Sequence, residues 1–341
     1  MRQHVLVFRE LPPDQLARLQ AVHDVTVANP RMPGQEAAFF AALPRAHGLI
    51  GSSYPVDAAM LALAPHLRVI SSISVGVDNY DLPALRARGI LLCHTPGVLT
   101  ETTADTLFAL IMASSRRVVE LARHVQDGHW VRNIDESLFG WDVHGKTLGI
   151  VGFGRIGQAL ARRAALGFGM PVLYHGPRAV ELPELAGKSQ HMGLDALLAQ
   201  ADIVALTLPL TATTRGLFNA ERFAAMKPGA IVVNGARGAI VDEAAMLAAL
   251  DSGHLRAAGR VCHRALAARL APAHPPQGHC AAPHRLRHPR NPPRHGHHGH
   301  DAVVAGFGGG AARGGGQLTR RNGESGGLFA SFMARTSSRL P

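Results

Sequence analysis

Cysteine is nearly missing from this chain: there are three in 341 residues, and two of them, Cys262 and Cys280, fall in the last quarter. Thiols so few and so placed build no disulfide framework, and the natural compartment for such a protein is a reducing cytoplasm. Long hydrophobic runs are missing too. The opening "MRQHVLVFRELPP" is a short apolar stretch that ends in a turn. It is too brief for a membrane span and too promptly interrupted for a signal peptide, so it reads as a first β-strand, and no membrane partner is expected. No internal repeat stands out. Acidic residues are scarce in one region only. Arg260 to Pro341 holds 12 basic side chains, all arginine, against 2 acidic ones, whereas Met1 to Gly259 carries 23 against 22. The net charge of +11 therefore belongs to the end of the chain. A basic balance would ordinarily suggest nucleic acid, but an all-arginine bias confined to a tail points to GC-rich codons more than to a selected surface.

What is present fits an α/β protein. The length allows two modest domains, and 47% hydrophobic residues can bury two cores. Short apolar runs ("HVLVF", "DVTVA", "AHGLIGSS", "LRVISSIS", "ILLCHTP") alternate with helical stretches ("PDQLARLQAVH", "VDAAMLALAP"). Buried strands separated by helices predict parallel sheets with helices on both faces. "ETTADTLFALIMASSRRVVELARHVQ", from Glu101 to Gln126, predicts one long helix leading from a first domain (1–103) into a second (104–259). Residues 260–341 stand apart as a tail whose glycine and proline content, "AGFGGGAARGGGQ" included, predicts disorder.

The second domain opens on "KTLGIVGFGRIGQALARRAALGFGMPVLYHGPRA". A strand from Thr147 to Val151 runs into Gly152, Gly154 and Gly157 in G-x-G-x-x-G spacing, with Phe153, Arg155 and Ile156 between them, and an apolar helix follows. The spacing has a mechanism: the first glycine makes a tight turn, the second lets the backbone approach a pyrophosphate, and the third lets helix pack on strand. A bare glycine pattern is also an ordinary turn; here strand, loop, helix and next strand (Pro171 to Tyr174) are all in place, so dinucleotide binding is the stronger reading. An acid at the end of that next strand would bond the ribose hydroxyls and select NAD. "YHGPRA" has no acid before Glu181 and offers His175 and Arg178, so NADP is the expected cofactor, with NAD as the alternative if Arg178 is only a solvated surface charge.

These residues, together with "SISVGVDNYD", "HTPGVLTETTADTLFAL", "LPLTATTRGLFN" and "NGARGAIVDEAAML", resemble the D-isomer-specific 2-hydroxyacid dehydrogenases, most closely the branch that reduces glyoxylate, hydroxypyruvate and 2-ketogluconate. The resemblance runs from the N-terminus to about Gly259. It implies two Rossmann-like domains, a flavodoxin-like substrate domain and a dinucleotide-binding domain, usually in a homodimer. It implies that the backbone amides of Val75 and Gly76 hold the substrate carboxylate and that Arg237 pairs with the carboxylate and carbonyl oxygen. Leu208, Pro209, Thr214 and Ala236 would line the cofactor. The reading of Arg237 as a mere surface bridge is weakened by its place after the strand-like "AIVV", at the sheet edge where open parallel sheets bind ligands. A guanidinium fork suits a 2-oxo acid because it offers two parallel donors to a planar anion. Which 2-oxo acid is not legible.

The resemblance also implies a general acid, a histidine in a motif like "PHIGSAT", supported by a glutamate in "LDVFxxEPL" that raises its proton affinity. Neither motif stands in the chain as written. Both are permitted by its codons when read from the second base: Ala258 to Arg264 can encode "LDVFATE", with "PL" following, and the stretch from Ala282 to His295 can encode "PHIGSATRETRHAM". Two long motifs appear in order in the shifted frame, so the reading frame is inferred to be lost near Gly259 and the chain to be inactive. Three other readings compete. The "HGHHGH" cluster could bind a transition metal, and the arginine-rich tail could bind nucleic acid without sequence preference. Alternatively, a chain with an intact glycine loop and no acid could be a dinucleotide-sensing corepressor. The shifted frame explains composition and position together, which these do not.

Overall fold

The computed structural model describes residues 2–133 and 135–260, and the description is confined to them. They form two compact units that meet in sequence at Leu99 and Thr100.

The first unit reads β1 (His4–Val7), α1 (Pro13–Val22), β2 (Asp24–Val27), α2 (Glu36–Ala42), β3 (Gly48–Gly51), α3 (Ala58–Ala62), β4 (Val69–Ser72), α4 (Leu82–Ala87) and β5 (Leu91–Cys93). Every strand pairing is parallel, and the order across the sheet is β2-β1-β3-β4-β5. That is the flavodoxin-like arrangement, with the order reversing between β1 and β3. β1 and β3 are buried along their whole length, which is why they are legible as continuous apolar runs. Proline in the first turn opens α1 and α4, and the Asp57 and Asp81 side chains cap α3 and α4 by accepting from the N–H groups of Met60 and Ala84. A core of Leu6, Phe39, Leu43, Leu49, Leu61 and Ile70, each at most 1% exposed, sits under one face.

The second unit begins with α5 (Thr100–Ser115) and α6 (Val118–Gln126). The single helix expected over Glu101 to Gln126 is thus two. Arg117 breaks it in the left-handed region, at φ 54° and ψ 33°, a conformation costing about 1–2 kcal/mol for a residue with a Cβ. The break is held by the Arg117 guanidinium, which is paired with Glu120 and donates to the carbonyls of Ser137 (2.6 Å) and Phe139 (3.2 Å).

Then come β6 (Leu148–Val151), α7 (Arg155–Arg162), β7 (Val172–His175), β8 (Ser189–His191), α8 (Leu194–Gln200), β9 (Ile203–Leu206), α9 (Ala220–Ala224), β10 (Ala230–Asn234), α10 (Glu243–Asp251) and β11 (Leu255–Arg260). The six strands are parallel in the order β11-β10-β9-β6-β7-β8. Numbered from β6, this is 3-2-1-4-5-6 read from the β8 edge, the doubly wound dinucleotide fold, with its switch point between β6 and β9. Helices α5 and α7 cover one face around Leu107, Ile111, Ile150, Leu160 and Ile231, and α8 to α10 cover the other around Leu197, Val204, Phe223 and Val232. Burying each such side chain is worth about 1.5–3 kcal/mol. Six strands are reached by Arg260; any further strand, and the expected disorder of 260–341, concern residues that, beyond Arg260, lie outside the described ones.

Candidate functional site

In the second unit the glycine loop is built as its spacing demands. Gly152 sits at φ 100°, and a Cβ there would lie 2.6 Å from the Leu208 nitrogen. A Cβ on Gly157 would lie 2.4 Å from the Gly152 carbonyl oxygen, so only glycine lets α7 start this close to β6. Gly154 differs: a Cβ there meets nothing within 4 Å, so its smallness serves an open space above the loop. Gly154 also leads into α7 with no side chain capping the helix, which leaves first-turn N–H groups, at Arg155 and Ile156, for an anion. Arg155 is exposed and Ile156 packs on the core beneath. Thr207 clamps the turn from β9, its hydroxyl donating to the Gly152 carbonyl at 2.5 Å.

Strands β9 and β10 on one side of β6, and β7 on the other, deliver this unit's remaining candidates at their carboxyl ends. After β9, Leu208 is 9% exposed, and the Thr214 hydroxyl donates to the Pro209 carbonyl (2.8 Å) and accepts from the Thr211 N–H (2.7 Å), closing the loop 209–214 on itself. After β10, Ala236 donates its N–H to the Asn234 side chain (2.9 Å), whose amide donates to the Arg237 carbonyl (3.0 Å). Asn234 thereby fixes the turn that carries Arg237, and Gly235 admits α5, since a Cβ there would lie 2.4 Å from Leu107. Arg237 is extended at φ −125°, with Nη1 3.4 Å from the Ala236 carbonyl.

After β7, His175 turns its Nδ1 to the Met192 carbonyl at 3.1 Å, a bond that needs the proton on Nδ1. Arg178 is exposed, and no carboxylate pairs with it among the described residues. It is the cation that the loop 175–180 presents. The second unit thus brings together uncapped amides at the start of α7, an open space at Gly154 and, after β7, a loop that carries Arg178.

In the first unit, Val75 and Gly76 lie half-buried in the loop after β4. The Val75 carbonyl accepts from His94 Nδ1 at 3.1 Å, and Thr95 donates to Ser74 at 3.1 Å, so the loop is tied to the segment after β5. Among the described residues no group of three or more His, Cys, Asp or Glu could hold a metal, and no helix is long and apolar enough to cross a membrane. The histidine-rich stretch falls outside those residues. Sequence reasoning passed over Phe153, Tyr174, Thr207 and Asn234. Phe153 falls inside the glycine motif but at a position the motif leaves open, and the other three have no distinctive spacing; each matters through what it touches.

A doubly wound sheet with a phosphate-binding glycine loop at its switch point defines a dinucleotide-binding protein. The model of the "D-isomer specific 2-hydroxyacid dehydrogenase, NAD binding domain" matches residues 108–263. Glyoxylate/hydroxypyruvate reductase B of Shigella boydii serotype 4 is 52% identical over 262 residues, covering 76% of this chain and 80% of that one. The TT0316 protein of Thermus thermophilus superposes with TM-score 0.69 at 46% identity, over 76% and 81% of the two chains. An NADPH-dependent glyoxylate/hydroxypyruvate reductase from Sinorhizobium meliloti, in complex with NADP and malonate, superposes with TM-score 0.68 at 29% identity, over 77% and 80%. The chain belongs to the D-isomer-specific 2-hydroxyacid dehydrogenase family, and among its relatives are the glyoxylate/hydroxypyruvate reductases.

Proposed function

We propose that this polypeptide descends from an NADPH-dependent reductase of a small 2-oxo acid, glyoxylate, hydroxypyruvate or 2-ketogluconate, and that the chain as written has lost its general acid. The observation that carries the reading is the convergence of the glycine loop, the Leu208–Thr214 loop and the Asn234–Arg237 turn at the carboxyl ends of the adjacent strands β6, β9 and β10. Open parallel sheets bind ligands at that edge. A bound nicotinamide supplies a hydride for the substrate carbonyl carbon. Arg237 offers two parallel N–H donors, one for the carboxylate and one for the carbonyl oxygen where negative charge develops. Arg237 stabilises that oxygen but does not protonate it, because a guanidinium keeps its protons at any pH the protein survives. The proton must come from an acid, which the family carries in motifs that the codons of this chain permit only in a shifted frame. The family match ends at residue 263, close to the inferred loss of frame at Gly259, which supports the same reading.

NADP is favoured over NAD because the loop after β7 lacks an acid and presents Arg178. Titration with the two reduced cofactors, followed by fluorescence, tests it: NADPH binds more tightly, and Arg178→Ala weakens NADPH about tenfold while leaving NADH unchanged. Tighter NADH binding contradicts the preference. A cytoplasmic homodimer completes the proposal. It is supported by the scarcity of thiols and by α6, which buries none of its residues and exposes Val118, Val119 and Val125.

A further inference from the structure

We infer that Tyr174 is a positioning residue that sets how the protein reads the adenosine ribose, an inference that rests on the dinucleotide reading above. Tyr174 stands on β7 and is 3% exposed. A phenol buried so deeply needs partners for its hydroxyl. It has both on one residue: the oxygen accepts from the Val180 N–H at 2.9 Å, and the hydroxyl donates to the Val180 carbonyl at 3.0 Å. One hydroxyl therefore draws the end of the loop back to the strand it left and closes His175, Gly176, Pro177, Arg178 and Ala179 into a ring.

The same side chain touches the other half of the site. Its ring lies flat on Phe153, with centroids 3.8 Å apart and planes 16° from parallel. Phe153 is the residue between the first two glycines, so Tyr174 stacks on the pyrophosphate turn with its face and staples the ribose loop with its hydroxyl. Two further ties run alongside. The Gly152 N–H donates to the His175 carbonyl at 2.9 Å, and His191 Nε2 lies 3.0 Å from the Gly176 carbonyl, with its ring tilted 5.3 Å from that of Tyr174. Arg178 itself makes no ion pair among the described residues, so its placement depends on how rigid this loop is. A loop already held in its binding shape gives up less freedom when the ligand arrives.

Replacing Tyr174 by Phe keeps the ring on Phe153 and removes only the staple. The probes are 2′,5′-ADP, which carries a 2′-phosphate, and 5′-ADP, which does not, titrated calorimetrically into the full chain and into Tyr174→Phe, with melting temperatures recorded for both. The expected result is a change of about fivefold in the ratio of the two affinities, carried by 2′,5′-ADP, with 5′-ADP binding held within about twofold. An unchanged ratio overturns the inference, and so does an equal loss for both ligands, which would mean that the hydroxyl supports only the general fold. The NADP preference is judged separately. If the unaltered chain prefers 5′-ADP and Arg178→Ala is neutral, that preference fails, while the tyrosine still stands or falls on the shift in ratio that Tyr174→Phe produces.

Discussion

Gly154 and Gly157 share one motif but are glycine for opposite reasons, and two alanine substitutions separate them. At Gly157 a Cβ strikes the Gly152 carbonyl at 2.4 Å, so Gly157→Ala pushes α7 off β6 and costs about 1–3 kcal/mol of stability. At Gly154 a Cβ enters open space and the backbone is extended at φ −78°, ψ −166°. Gly154→Ala therefore leaves the denaturation midpoint nearly unmoved yet lowers dinucleotide affinity at least about tenfold, because the methyl stands where the phosphates approach. Denaturant melts paired with cofactor titration check both, and equal behaviour of the two variants would contradict the assignment. The spacing alone revealed these glycines because each answers to its own backbone geometry. It could not reveal Tyr174, whose place in "PVLYHG" is that of any strand tyrosine. Its significance comes from Phe153 and Val180, which the fold brings to it.

At the scale of elements, the strands were readable because parallel strands covered on both faces are continuous apolar runs; β6, β9 and β10 are buried at every position. For β6 and β10 the observed limits lie within a residue of those expected, Thr147 to Val151 and "AIVV". The break between α5 and α6 was not readable. "SSRRVVE" contains no glycine, asparagine or proline to mark a left-handed residue, and the groups that hold Arg117 there, at Ser137 and Phe139, arrive some twenty residues later. The same logic gives a prediction. Arg117→Ala keeps the left-handed strain and loses the Glu120 pair and both carbonyl contacts, and costs about 2–4 kcal/mol. Arg117→Gly relieves the strain and costs measurably less. Chemical denaturation of the two variants checks the order; an Arg117→Gly protein no more stable than Arg117→Ala would contradict it.

On the scale of the whole molecule, the first unit carries a cost in acid. His4 and His23 are each 5% exposed, and Nδ1 of His4 and both ring nitrogens of His23 lack hydrogen-bond partners among the described residues. Burial holds His4, His23 and His47 below the ordinary value of 6.5, helped by Arg45 at His4, by Arg2 at His23, and by His66 and Arg68 at His47; Asp24 opposes the shift at His4. The unfolded chain thus takes up protons that the folded one refuses. The stability at stake is fully present above 6.5, the unfolded value, and is lost as pH falls below it toward the depressed folded values. Thermal melts at stepped pH follow this loss, and His23→Leu flattens the slope; an unchanged slope would contradict the account.

The central claim is that the fold and binding edge of a 2-oxo acid reductase survive here without the group that delivers the proton. Nothing tests it more directly than expressing this chain beside a version whose reading frame is restored after Ala257 and measuring NADPH-dependent reduction of glyoxylate, hydroxypyruvate and 2-ketogluconate by both. The restored protein should turn over at least one of the three, and the chain as written should fall below it by at least the factor of about 10² to 10⁴ that a general acid supplies. Comparable turnover by the two proteins would contradict the account and make the histidine- and arginine-rich tail a working part of the enzyme.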